Sequence, residues 1–232
     1  MYGSNSFIHE ATWSLRRAMR LSPMQKLLCE LRKRGVDIGH MDALEMFGAD
    51  GTRHTVDYCR KVMSLEVWEI NQEYLPILQT KFPKASIKIT DSFREIQATE
   101  KTYDFIVLDG PSQVIGQNWE YCGHFELMEK YLYHAVRENA VIILNLVPEP
   151  LRHIPADVRN PAHPEYLKRR ARFYEVKHPE SISVKEMIPA YKRTANENGF
   201  ELYDYVTVRR TIRTNVYYLA LLVGKLSNGR TV

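Results

Sequence analysis

A chain of 232 residues has room for one domain with elaborations, a typical domain taking about 150. Hydrophobic residues at 44% and charged residues at 26% exclude disordered, collagenous and coiled-coil classes and supply a sizeable core. A net charge of only +4 does not imply the broad cationic field that binds nucleic acid unspecifically, though local clusters can still matter.

Phe7, Ile8, Ala11, Leu15, Ala18 and Met19 recur at three-to-four spacing, and a second such run, Leu27, Leu28 and Leu31, follows Pro23 toward Gly35. Both predict amphipathic helices ahead of the main fold. From Asp42 onward short apolar runs alternate with helical stretches, the signature of a parallel α/β sheet. Strands are predicted over 42–48, 65–70, 86–90, 103–108, 140–147, 200–208 and 215–225, and helices over 52–62, 72–82, 119–137 and 184–198, with Gly199 as the last helix's stop. The runs 103–108 and 140–147 are almost continuously apolar, as strands buried on both faces are. Pro148, Pro150, Pro155, Pro161, Pro164 and Pro179 predict a loop-rich insertion over 148–180. The basic link from Arg209 to Arg213 is too short for a parallel crossover, so the last two strands pair antiparallel.

The fold class is therefore α/β: a seven-stranded, mostly parallel sheet with helices on both faces and a C-terminal antiparallel hairpin, preceded by N-terminal helices. It forms one domain, with a helical cover (1–40), a site-bearing half (41–147), the insertion (148–180) and a C-terminal helix and hairpin (181–232). Cys29, Cys59 and Cys122 are odd in number and far apart, without a C-x-x-C pair, which points to a reducing compartment. Arg16, Arg17 and Arg20 lie near the start, and the longest apolar run, 216–223, falls far short of the roughly 20 residues that span a bilayer. A cytoplasmic protein without membrane association is expected.

In an open parallel sheet, ligands bind beyond the carboxyl ends of the strands. Here those ends are acidic: Glu69, Asp91 and Asp109 close or follow the second, third and fourth strands, 22 and 18 residues apart. The turn after the first strand, Gly48-Ala49-Asp50-Gly51, is built of small residues where a ligand approaches the backbone. Glu69, 24 residues after Glu45, suits a hydrogen bond with ribose hydroxyls. A dinucleotide pyrophosphate calls for G-x-G-x-x-G, which is missing here, and Asp50 would repel phosphate. A cofactor with ribose and adenine but no phosphate fits better.

These residues resemble the class I, Rossmann-like S-adenosylmethionine-dependent methyltransferases over about residues 42–226. Leu44-Glu45-Met46-Phe47-Gly48-Ala49-Asp50-Gly51 is similar to the family's first motif, with Phe47 and Ala49 standing where E-x-G-x-G-x-G has its first two glycines. Glu69 followed by Ile70 resembles the ribose-binding end of the second strand, and Asp91-Ser92-Phe93 the adenine-contacting segment. Tyr103-Asp104-Phe105-Ile106-Val107-Leu108-Asp109-Gly110-Pro111 resembles the fourth motif. The resemblance implies that Glu45, Phe47 to Gly51, Glu69, Ile70, Asp91, Ser92, Phe93, Asp109 and Gly110 hold S-adenosylmethionine, leaving S-adenosylhomocysteine as product.

The implied reaction is an in-line displacement at a sulfonium methyl, in which the protein mainly positions and excludes water. Asp109-Gly110-Pro111-Ser112 looks more like small-molecule O-methyltransferases than the Asn-Pro-Pro-Tyr of amino-directed ones, so a small-molecule hydroxyl acceptor is expected. Catechol-type enzymes add an Asp-Asn pair after the fifth strand; Asn145 and Glu149 stand here instead, and no metal is expected. Asp109 and His124 are the catalytic candidates, ahead of His153 and His163, because neutral imidazole accepts a proton near pH 7. Lys168, Arg169, Arg170 and Arg172, beside Phe173 and Tyr174, read either as recognition of an anionic acceptor or as a solvated helix face, and Arg209, Arg210 and Arg213 present the same choice. Residues 1–40 and 148–180 are expected to wall the acceptor pocket, and no tight nucleic-acid complex is expected. The alternatives are an RNA methyltransferase, an aminopropyltransferase sharing the Gly-x-Asp-Gly turn, and a cofactor-binding module without activity.

Overall fold

The computed structural model describes residues 22–109, 114–115, 120–122, 124–150, 164–210 and 216–227. The first predicted helix, Gly110 to Ser112, Trp119, His153, His163 and Arg213 lie outside them. The described chain opens with α1 (Pro23–Lys33), whose first turn is capped by the Ser22 hydroxyl accepting from the Gln25 N–H at 3.1 Å. Then follow β1 (Asp42–Met46), α2 (Thr55–Tyr58), β2 (Ser64–Glu69), α3 (Leu75–Lys81), β3 (Ser86–Ile89), α4 (Ser92–Ala98) and β4 (Tyr103–Leu108). A small ribbon, β5 (Val114–Ile115) with β6 (Tyr121–Cys122), precedes β7 (Val136–Leu146). The chain continues through α5 (Pro164–Tyr174), α6 (Val184–Glu197), β8 (Phe200–Arg209) and β9 (Tyr217–Lys225).

Seven strands form one sheet in the order β3-β2-β1-β4-β7-β9-β8. The first five are parallel, and β9 lies antiparallel between β7 and β8. The chain steps outward from β1 to β3 and then returns to β4, so the carboxyl ends of β1 and β4 are neighbours at the switch point where open α/β sheets bind ligands. One face packs Phe93, Ile96, Tyr166, Phe173, Met187 and Tyr191 against Leu44, Ile106, Ile142 and Leu221. The other packs Met24, Leu27, Leu31, Tyr58 and Leu78 against Ala43, Phe105, Val141 and Ala220. α1 thus belongs to the core, lying against β8 and β9 on a sheet face. Of the acceptor wall expected of residues 1–40 only 22–40 are described; there α1 packs on the sheet face, with the Ser22 hydroxyl donating to Asp57 of α2 at 2.8 Å.

Three predicted elements differ. The run 119–137 is not one helix: β6, a π-helical turn (Leu127–Tyr131) and a short 3-10 turn (Tyr133–Ala135) replace it, and β7 begins already at Val136. Arg137 accounts for the early start, since its guanidinium donates to Asp104 Oδ2 at 2.6 Å and Asp42 Oδ2 at 2.9 Å and draws the chain into the sheet's amino edge. The helix expected over 52–62 shrinks to the four residues of α2, because Asp50 Oδ1 takes the Thr52 N–H at 3.0 Å in an Asx turn that competes with helix. The proline-rich insertion contains α5, with Pro164 at its first position, where a missing N–H costs nothing. No helix among the described residues is long and apolar enough to cross a membrane.

Candidate active site

The turn after β1 is set by backbone geometry. Phe47, Ala49 and Gly51 have φ of +66°, +45° and +66°, so the three positions where the motif carries glycine keep the left-handed backbone although only one is glycine. Each non-glycine residue there costs roughly 1–2 kcal/mol. Gly48 is required for another reason: its N–H donates to the Trp68 carbonyl at 2.9 Å, and a Cβ would lie 2.4 Å from Val67 Cγ1. The turn therefore lies directly on the end of β2. Asp50 is occupied locally, accepting from the Thr52 N–H and, at 2.7 Å, from its hydroxyl.

Glu69 clamps this turn. Its Oε2 accepts from the Ala49 N–H at 2.6 Å and its Oε1 from the Asn71 N–H at 2.7 Å. The next residue, Ile70, is 70% exposed. Asp91 caps α4, its Oδ1 accepting from the Phe93 N–H at 2.9 Å. Ser92 and Phe93 are buried, and the Phe93 ring stacks on Tyr121 at 4.1 Å and tilts against Phe47 at 5.7 Å.

Beneath the turn lies a buried charge cluster. His54 Nε2 is 2.8 Å from Glu45 Oε1, and His54 Nδ1 is 3.1 Å from Asp109 Oδ2. The Thr55 hydroxyl donates to Glu45 Oε2 at 3.1 Å. Arg210 grips Asp109 with both terminal nitrogens, at 2.5 Å to Oδ1 and 3.2 Å to Oδ2, and Asn145 Nδ2 also donates to Oδ1. Arg210 lies over the Tyr218 ring at 5.0 Å. Burial disfavours charge on Asp109, but His54 and Arg210 outweigh it and hold the carboxyl below its usual range. Burial also works against a charged His54, and the Glu45 and Asp109 carboxylates outweigh it to raise the imidazole's pKa. Glu45, completely buried, is pushed up by desolvation that His54 offsets only in part. An ionised carboxylate has about four lone-pair sites. His54, Arg210 twice and Asn145 fill those of Asp109, leaving none for a base or a metal ligand. Among the described residues, no group of three or more histidines, cysteines and carboxylates is placed to hold a metal ion.

No family model and no curated protein matches the sequence. Solved structures do. The magnesium protoporphyrin IX methyltransferase ChlM from Synechocystis PCC 6803, determined with bound SAH, superimposes with a TM-score of 0.51 at 11% identity, over 87% of this chain and 81% of its own. The chain has the class I methyltransferase fold. A SAM-dependent methyltransferase candidate from Streptococcus mutans gives 0.52 at 12% identity over 89% of this chain, which spans about half, 48%, of that protein. An RNA methyltransferase candidate from Pyrococcus horikoshii gives 0.48 at 13% identity, over 89% of this chain and 83% of its own. At these identities the likeness establishes the fold alone.

Within the class I fold, the remaining candidates separate. His124 sits against Phe125, Phe173 and Tyr191, its Nε2 2.7 Å from the Tyr191 hydroxyl. Burial and the nearby Arg170 push its pKa down to about 3, so its surroundings give no support to a base at neutral pH. The basic clusters split by periodicity. Arg170 shares the helical stripe of Tyr166, Phe173 and Tyr174 and is buried, donating to the Pro148 and Pro179 carbonyls at 3.1 and 2.7 Å. Arg169 and Arg172 are paired with Glu126 and Glu129. Arg210 follows the two-residue alternation of Val206 and Val208 inward while Arg209 stays exposed. That alternation was the available signal for Arg210. His54 carried no comparable local signal.

Proposed function

We propose that the chain binds S-adenosylmethionine across the carboxyl ends of β1 and β2 and transfers its methyl group to a small-molecule acceptor. The observation that carries this reading is the Glu69–Ile70 pair, a buried carboxylate with unused lone pairs beside an apolar side chain open to solvent, both next to the left-handed turn. Each Glu69 oxygen accepts one backbone N–H, which leaves a second lone pair on each for a ribose hydroxyl. Ile70 offers the apolar face that an adenine ring would cover, with Asp91 beyond it. Ser92 and Phe93 are buried, and the Phe93 ring packs against Phe47 of the turn. The SAH bound by the Synechocystis enzyme, which has the same fold, supports the choice of cofactor.

The cofactor supplies an activated methyl group on a sulfonium; the chain's part is to hold, orient and exclude water. The Asp109-Gly110-Pro111-Ser112 sequence supports a hydroxyl acceptor. Because Asp109 has its lone pairs filled and His124 is held neutral, an acceptor hydroxyl acidic enough to ionise unaided suits this site best. A tight nucleic-acid complex forms no part of the reading.

Calorimetry on the folded chain should give low-micromolar or tighter binding of SAH. Glu69→Ala should weaken it by about 1.5–3 kcal/mol, the cost of losing hydrogen bonds to an ionised acceptor. Absence of binding by either compound to folded wild-type protein would overturn the proposal.

A further inference from the structure

We infer that His54 is a positioning residue for the transfer, tying the chain that follows the cofactor turn to Glu45 of β1 and to Asp109 at the end of β4 and, through Asp109, to Arg210 at the end of β8. The inference rests on the reading of the carboxyl edge as the transfer site.

Both imidazole nitrogens lie within hydrogen-bond distance of a carboxylate oxygen, Nε2 at 2.8 Å from Glu45 and Nδ1 at 3.1 Å from Asp109. A neutral imidazole has one donor and one acceptor nitrogen, and the acceptor would face a carboxylate lone pair. With Glu45 and Asp109 both ionised, only the doubly protonated ring satisfies both contacts. The cluster is then charge-balanced, with Glu45 and Asp109 against His54 and Arg210, and nearly dry: the His54 side chain is 6% exposed and that of Glu45 is 0% exposed. Charge-assisted bonds in such surroundings are strong and leave no cheap intermediate arrangement.

Each member belongs to a different part of the sheet edge. Glu45 is in β1, His54 precedes α2, Asp109 follows β4, Asn145 is in β7, Arg210 follows β8 and Tyr218 is in β9. The Tyr218 hydroxyl stands 3.5 Å from His54 Nδ1, and the Arg210 N–H closes the hairpin on the Val216 carbonyl at 2.7 Å. His54 is the single member that touches both the β1 and the β4 acids. Shifting the chain after the turn relative to the ends of β1 and β4 breaks one of its two bonds, so the turn is held in register with the carboxyl ends of both strands. A methyl donor resting on the turn is then fixed relative to the carboxyl end of β4, which is what an in-line displacement beyond that edge requires.

The test begins with ¹⁵N NMR of the imidazoles in the full chain without ligand, using His54→Gln for assignment. Both nitrogens of His54 should be protonated at pH 6.5, the ordinary midpoint of a histidine; a single protonated nitrogen there overturns the charged bridge, and this holds whether or not any variant folds. Calorimetric titration with SAH across the same pH range then tests positioning. Wild-type affinity should fall as His54 loses its second proton, and His54→Gln should bind about tenfold more weakly at pH 6.5 without that pH dependence. A residue that only stabilised the fold would lower the melting temperature and leave the pH dependence in place. SAH affinity within twofold of wild type and an unchanged profile in His54→Gln would overturn the inference. Failure of the wild type to bind SAH would instead strike the cofactor reading, with the ¹⁵N result still deciding the bridge.

Discussion

The sheet carries an acid–base cluster at each end, and both are built from the same strands. At the amino edge Arg137 joins Asp42 of β1 to Asp104 of β4; at the carboxyl edge His54 joins Glu45 of β1 to Asp109 after β4, with Arg210 alongside. In each, a cation spans carboxylates of adjacent parallel strands. They differ in their access to water. The cations separate them, Arg137 being 40% exposed against 10% for Arg210 and 6% for His54, while the acids range from 25% and 14% for Asp42 and Asp104 to 13% and 0% for Asp109 and Glu45. Solvent and salt screen the first cluster; the second is held by unscreened bonds and is intolerant of losing a member. Similar chemistry thus makes a surface fastening at one end and a rigid floor for a site at the other.

The largest effect should come from removing the acid that the most partners share. Asp109→Ala leaves Arg210 and His54 buried beside an incomplete set of carboxylates, and breaking a buried pair in this way costs about 3–5 kcal/mol. Urea unfolding should show that loss as a lower midpoint with an unchanged slope. A loss below about 1 kcal/mol would mean that water reaches the cluster, and the contrast between the two ends would collapse.

The two ends should also part in their response to pH. The folded-state pKa of His54 is raised above its ordinary 6.5, so the stability it contributes is complete below that value and is lost as pH rises through the raised one. Asp42 is lowered by the Ser64 hydroxyl and Arg137, so its contribution is present above about 3.8 and fades as pH falls through its folded value. Asp109 fades on the acid side as well, being lowered. Only the carboxyl edge therefore loses stability toward alkaline pH. The melting temperature should decline as pH rises above about 6.5 in wild type and flatten in His54→Gln. A flat wild-type curve would remove the charged histidine from the account.

Much of the fold was legible in the sequence because parallel strands buried on both faces read as apolar runs, and 103–108 matches β4 end for end. The acids closing β2 and β4 were legible for the same reason, since strand ends locate them. The first motif looked eroded at Phe47 and Ala49, yet the backbone keeps φ above zero at both, so side-chain identity was a poor guide to conformation there. The helix expected over 119–137 failed because Phe125, Leu127, Met128 and Leu132 are buried by the aromatic layer around them, a pattern that apolar spacing cannot tell from one helical face. His54 was missed for a topological reason. Its partners lie 9 and 55 positions away and meet it only because β4 returns to lie beside β1.

The smallest effect belongs to the amino edge, and it is the one that sharpens the comparison most. Arg137→Ala removes two ion pairs and bonds to Thr102, a longer roster of contacts than many buried residues have. Counting contacts would forecast a severe loss. Exposure argues otherwise: Arg137 and Asp42 are reached by solvent, the freed Asp42 carboxylate can rehydrate and keeps the Ser64 hydroxyl at 2.6 Å, and Asp104, the least exposed of the three, keeps the Asp42 N–H at 3.0 Å. Ion pairs at such exposure are each worth about 0–1 kcal/mol. Loss of the urea midpoint should therefore correspond to about 1 kcal/mol, shrinking further as salt is raised toward 1 M, where the screening length is about 3 Å. If Arg137→Ala instead cost as much as Asp109→Ala and ignored salt, burial would not be what separates the two ends. The early start of β7, which Arg137 draws into the sheet, would then be the feature whose loss the unfolding experiment reports.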